Sequence, residues 1–90
     1  MVEPVPDSAR HPVDSRAGWT VNAAVATYQP TDGGWCALVR PVRVAGRSYQ
    51  RLHIVVIDPA GTARYVTHAS GWDEAIRVVE TQVQTRNDPD

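Results

Sequence analysis

Residues 19–28, WTVNAAVATY, place Trp19, Val21, Ala23, Val25 and Thr27 at every second position with small side chains between most of them. Alternation of this kind predicts a strand, because successive Cβ atoms leave a strand on opposite faces. Pro30-Thr31-Asp32-Gly33-Gly34 then supplies turn residues, since Asp-Gly and Gly-Gly tolerate the positive φ angles of tight hairpins. A second strand is predicted from Trp35 to Val44 and a third from Tyr49 to Ile57, YQRLHIVVI. Ala45-Gly46-Arg47-Ser48 separates them, with glycine where a two-residue type II′ turn needs it. Asp58-Pro59-Ala60-Gly61 sets up a type I turn, and a fourth strand follows from Thr62 to His68.

Past Ala69 the period changes. Trp72, Ala75, Ile76, Val79 and Val83 fall on one stripe of a helix. Ser70 is placed to cap it, Asp73 and Glu74 lie in the first turn where the helix dipole favours negative charge, and Asp73 stands four residues before Arg77. Arg86 suits the last turn, and Asn87 and Pro89 are stop signals. The predicted architecture is an α+β fold: a four-stranded antiparallel β-meander with one C-terminal amphipathic helix packed on one face. Residues 1–17, with Pro4, Pro6 and Pro12 among polar side chains, read as a flexible arm; residues 18–87 form the single ββββα domain and residues 88–90 a tail.

Such a meander leaves one sheet face and two edges uncovered. With Gly46-Arg47 as turn residues, Val44 lies opposite Tyr49, Val42 opposite Arg51 and Arg40 opposite His53, and these six share a face. Val39, Leu52, Ile54 and Val56 then fill the other face, which is the better core. Arg40, Arg51 and His53 are therefore expected to point away from the helix. An even-length loop at residues 58–61 adds Arg64, Val66 and His68 to the same face, whereas a three-residue loop with a glycine bulge flips them. The turn residues favour the bulge and a buried Tyr65 favours the even loop, so both registers stand.

Composition adds to this picture. Fourteen Val and three Ile against two Leu and no Phe form a strand-biased vocabulary. Ninety residues suffice for one domain. A formal net charge of −1 argues against a strongly basic nucleic-acid or membrane binder, yet residues 17–64 carry five arginines against two aspartates, a basic middle between acidic ends. The chain has no apolar run of 18 residues, and neither a signal-peptide pattern nor a lipidation motif, so a soluble cytoplasmic protein is expected.

Candidate chemistry is sparse. Cys36 is the single cysteine, which excludes an internal disulfide, and a strand thiol is ordinarily buried and inert. His53 and His68 become diagonal neighbours in the even-loop register, but two ligands are too few for zinc and no His-x-x-x-His or Cys-x-x-Cys spacing exists. Neither a metal nor any other cofactor is expected, and no acid–base pair can be assembled for catalysis. The Asp32-Gly33-Gly34 run leads into a strand, not a helix N-terminus, so it is no phosphate cradle. Trp19 and Trp35 stand at strand starts, as core-edge anchors or as exposed contacts of an interface.

Two segments, DGGWCALV (Asp32 to Val39) and THASGWDEAIRVVETQV (Thr67 to Val83), together resemble HicB-type antitoxins, in which a hairpin with an Asp-Gly-Gly-type turn leads through a further strand to a helix bearing Glu-Ala. GWCALVR with WDEA is also similar to the arm-binding domains of tyrosine recombinases, which grip DNA with their sheet. Both resemblances imply a sheet-plus-helix binding module and transfer no catalytic residue. The expectation is a non-enzymatic regulatory module acting through a protein partner, as a homodimer or an accessory subunit. The alternative is a nucleic-acid-binding accessory protein that uses Arg40, Tyr49, Arg51, His53, Arg64 and His68 on the open face.

Overall fold

The computed structural model describes residues 12–43 and 50–88. Five strands, β1 (Trp19–Asn22), β2 (Val25–Tyr28), β3 (Cys36–Arg43), β4 (Gln50–Ile57) and β5 (Ala63–Ala69), precede one helix, α1 (Trp72–Asn87). Spatial order equals chain order, and every neighbouring pair is antiparallel. The fold is α+β with an open antiparallel sheet and a C-terminal helix, and it has one strand more than the four expected.

The additional strand arises inside residues 19–28. Asn22 pairs with Val25, so Ala23 and Ala24 form a two-residue loop, and Ala23 takes φ 57°. Alanine at positive φ costs about 1–2 kcal/mol and is a poor sequence marker for a turn, which is why the run reads as one strand. The loop also switches parity. Trp19 and Val21 face the helix before it, whereas Ala26 and Tyr28 do so after it, leaving Val25 and Thr27 on the open face. Trp19 and Tyr28 lie opposite each other with ring centroids 5.1 Å apart.

The β3–β4 register matches the one expected, with Arg40 opposite His53 and Val42 opposite Arg51. The Gly46-Arg47 turn, Val44 and Tyr49 lie outside the described residues. Pro41 sits on β3 beyond the last residue paired with β2, where a missing N–H costs no ladder bond on that side. The core is a single layer between sheet and helix: Ala26, Tyr28, Ala37, Val39, Leu52, Ile54 and Val56 meet Ala75, Val79 and Val83. Trp72 and Ile76, from the expected stripe, pack partly buried against that layer.

Gly71, not Ser70, is the residue that precedes the first turn, and no side chain caps it. Ser70 instead donates both its backbone N–H and its hydroxyl to Glu74 Oε1, at 3.1 and 3.0 Å, which holds the Glu74 carboxyl below its ordinary range. At the other end Asn87 accepts the Trp35 backbone N–H at 2.8 Å, tying the helix to the start of β3.

Residues 12–17, read from sequence as part of a flexible arm, belong to the folded unit. Val13 is buried in the core, and Arg16 makes a bidentate ion pair with Glu80 on α1, with N···O distances of 3.0–3.2 Å. Gly18 turns this segment into β1 at φ 84°, where a Cβ would lie 2.9 Å from the Tyr28 ring. Periodicity misses such a segment because a single valine anchors it.

Candidate functional site

The helix covers one face of the sheet, and nothing among the described residues covers the other. Two rows cross that open face. The first runs Thr20, Thr27, Leu38, Val55, Val66, each side chain on the strand next to the last. The second places Arg40 on β3 opposite His53 on β4, and His53 opposite His68 on β5. Apolar and cationic side chains therefore lie side by side. Val25, Leu38, Val55, Arg40 and His53 line a shallow cup of about 200 Å³.

The two histidines are direct cross-strand partners and not diagonal neighbours, with ring centroids 5.0 Å apart and planes tilted 42°. The register that brings them together contains both features weighed from the sequence. Val56 pairs with Tyr65 and Ile57 with Ala63, so Arg64 is the extra residue of a β-bulge. The bulge lies on the turn side of Tyr65, and Val66 and His68 consequently join the Arg40 face while Tyr65 does not.

Arg64 is engaged in the turn. Its Nε donates to Asp58 Oδ2 at 2.7 Å, and Asp58 Oδ1 accepts the backbone N–H groups of Ala60 and Thr62 at 3.0 and 2.9 Å. Gly61, at φ 90°, closes the turn by donating to the Asp58 carbonyl at 2.9 Å. The Thr62 N–H and then Arg64 hold the Asp58 carboxyl below its ordinary range. This arrangement gives Arg64 a structural task, unlike Arg40 and Arg51, which are exposed and make no ion pair among the described residues. Tyr49 lies outside those residues.

Both tryptophans at strand starts are tied into the packing between sheet and helix. Trp19 is 7% exposed and donates its indole N–H to Glu80 Oε2 at 2.8 Å, so it presents little surface to a partner. Trp35 packs partly buried against the core, and the Arg86 guanidinium lies 5.4 Å from its ring centroid and 5.7 Å from that of Tyr65.

Charge on the sheet has one sign. None of the five strands contains an aspartate or glutamate, and the described carboxylates sit on turns, on the segment before β1, on α1 and just after it. His53 is half-buried, and burial, then His68, then Arg40 push its pKa below the ordinary imidazole value. Its Nδ1 is buried without a hydrogen-bond partner among the described residues. Cys36, on the same face, has its thiol pushed up by burial and stays protonated. No group of three or more potential metal ligands exists among the described residues.

The lowered pKa of His53 has a thermodynamic sign. The unfolded chain takes up a proton on this residue at higher pH than the folded one, so folding stability should fall as pH drops from about 7.5 to 5.5. The lowered pKa values of Asp58 and Glu74 act at more acid pH, below about 4.5, and leave that window to histidine. Urea denaturation of wild type and His53→Gln across the window should show a shallower decline in the variant. Parallel pH profiles would assign the effect elsewhere.

Leu38, Val55 and Val25 are the residues of this surface that charge-based reasoning passes over. A signal exists for Val55 in HIVVI and for Leu38 in ALV, since a strand apolar at consecutive positions has apolar side chains on both faces. Among the described residues no helix is long and apolar enough to cross a membrane. Comparison with known proteins finds no matching family model, curated protein or solved structure.

Proposed function

We propose that the protein is a non-enzymatic binding module that engages a protein partner through the open face of its sheet. The observation that carries this reading is the apolar row Leu38–Val55–Val66 on a face that the helix leaves uncovered; Val66 is 53% exposed. Apolar residues bordered by arginine suit a protein interface, where a desolvated centre and a polar rim are the rule. Cys36 is protonated and the histidine pair faces Arg40 with no carboxylate on its strands, which favours binding over catalysis. An antitoxin-like regulator is one form of such a module.

A second copy stacked on this face is a poorer occupant. It would set Arg40, Arg51, His53 and His68 of one copy against a face that likewise offers no carboxylate, and like charges across an interface are costly. Nucleic acid is the second reading, favoured by the same absence of carboxylates. Its stacking surface would be the His53–His68 ring pair alone, since no Tyr or Trp lies on the open face among the described residues.

Affinity capture from the cells that make the protein tests the first reading. Wild type should retain a partner that the folded Leu38→Asp/Val55→Asp variant loses. Retention of the same proteins by both would contradict it.

A further inference from the structure

The cup and the Arg40–His53–His68 row beside it constrain the partner's chemistry. Val25, Leu38 and Val55 give the cup its apolar lining, Arg40 and His53 line it as well, and His68 continues the Arg40–His53 row one strand further. A side chain entering the cup meets mostly aliphatic surface, from Val25, Leu38 and Val55, which favours an apolar one. The neighbouring groups of the same ligand are best met as acceptors or anions, because Arg40 presents donors alone and none of the five described strands supplies a carboxylate to satisfy it.

Resting on the proposed protein-partner reading, we infer that the open face recognises an acidic amphipathic protein segment, with an apolar anchor seated over Val25, Leu38 and Val55 and carboxylates set over Arg40, His53 and His68. Charge complementarity selects this occupant over a basic or neutral segment. The same geometry makes binding proton-linked. The charged groups facing His53 are Arg40 from β3 and His68 from β5, and α1 lies on the opposite side of the sheet. Burial, and after it the charges of His68 and Arg40, disfavours the His53 imidazolium; a carboxylate placed directly above these groups favours it, so complex formation takes up protons. Affinity therefore rises as pH falls toward the histidine range, and declines again once the ligand's own carboxylates protonate near pH 4.

The test uses the full chain and three labelled probes followed by fluorescence anisotropy. One is a synthetic amphipathic helical peptide with leucines on one face flanked by glutamates. The second is the same peptide with lysines for the glutamates, and the third a short single-stranded oligonucleotide. The glutamate peptide is expected to bind roughly tenfold tighter than the lysine peptide, the ratio that one to two partly exposed ion pairs supply. Its affinity should rise about threefold or more between pH 7.5 and 5.5, the range over which imidazole gains its proton. Arg40→Ala, at an exposed position, should keep the fold by circular dichroism and weaken the glutamate peptide alone, whereas Leu38→Asp should weaken both peptides.

Equal binding of the two peptides, or weaker binding of the glutamate peptide on acidification, overturns the inference. So does binding of the oligonucleotide alone with sensitivity to Arg40→Ala, which selects nucleic acid, and so does failure of all three probes. A partner captured by wild type and lost from Leu38→Asp/Val55→Asp would still uphold the broader protein-binding reading in any of these cases. The two can therefore fail separately.

Discussion

Ile54→Ala is expected to lower folding stability by about 2–5 kcal/mol, the range for truncating a buried aliphatic side chain to alanine. Ile54 is fully buried at the centre of the layer between the sheet and α1, paired with Val39 on one side and Thr67 on the other. A domain of this size has total stability on the order of 5–10 kcal/mol, so the variant should be close to unfolding at 37 °C. Urea denaturation followed by far-UV circular dichroism measures the loss. Leu38→Ala is the matched control. Its side chain is half-buried on the uncovered face, and its truncation should cost about 1 kcal/mol or less, because much of its surface already meets water. Equal losses for the two variants would mean that both faces stabilise the fold alike.

The second large effect is expected at Glu80. Its carboxylate accepts from Arg16 and from the buried Trp19 indole, joining the segment before β1 to the middle of α1. The Arg16 contact is the smaller part. The Arg16 side chain is 45% exposed, and ion pairs in that setting contribute about 0–1 kcal/mol. The Trp19 N–H is the larger part, since a buried donor left without an acceptor costs about 1–3 kcal/mol. Glu80→Ala should therefore lose about 2–3 kcal/mol, mostly through Trp19. Arg16→Ala should lose less than half of that, and in denaturant titrations the order Glu80→Ala, Arg16→Ala, wild type should hold. A reversed order would place the anchor in the ion pair and not in the indole.

Much of this architecture was legible in the sequence because its signals are local. The change from period two to a helical stripe at Trp72 locates α1, and the observed pairing of Arg40 with His53 is the one expected from reading Gly46-Arg47 as turn residues. What was not legible rests on features that periodicity does not carry. An alanine at positive φ splits residues 19–28 into two strands, and no propensity scale marks that position. The bulge at Arg64 sits where the glycine turn and the side-chain alternation of β5 pull the register in opposite directions; one unpaired residue puts Tyr65 on the helix side of the sheet, where it stays exposed and not buried as expected. Trp19 could be read as a surface contact because its acceptor, Glu80, lies 61 residues away in sequence. At the candidate site the cations stand out along the chain, whereas the apolar floor between them looks like ordinary core. Its exposure follows from the sheet having two faces and the described residues supplying one helix to cover them.

Amide chemical-shift mapping on the 15N-labelled protein with its captured partner distinguishes the open face from the helix layer as the surface that meets that partner. The largest changes are expected on Val25, Leu38, Arg40, His53, Val55 and Val66, with Asp73, Arg77 and Thr81 on the exposed side of α1 little altered. Changes concentrated on those helix residues, with the strand amides unmoved, would contradict the open-face reading.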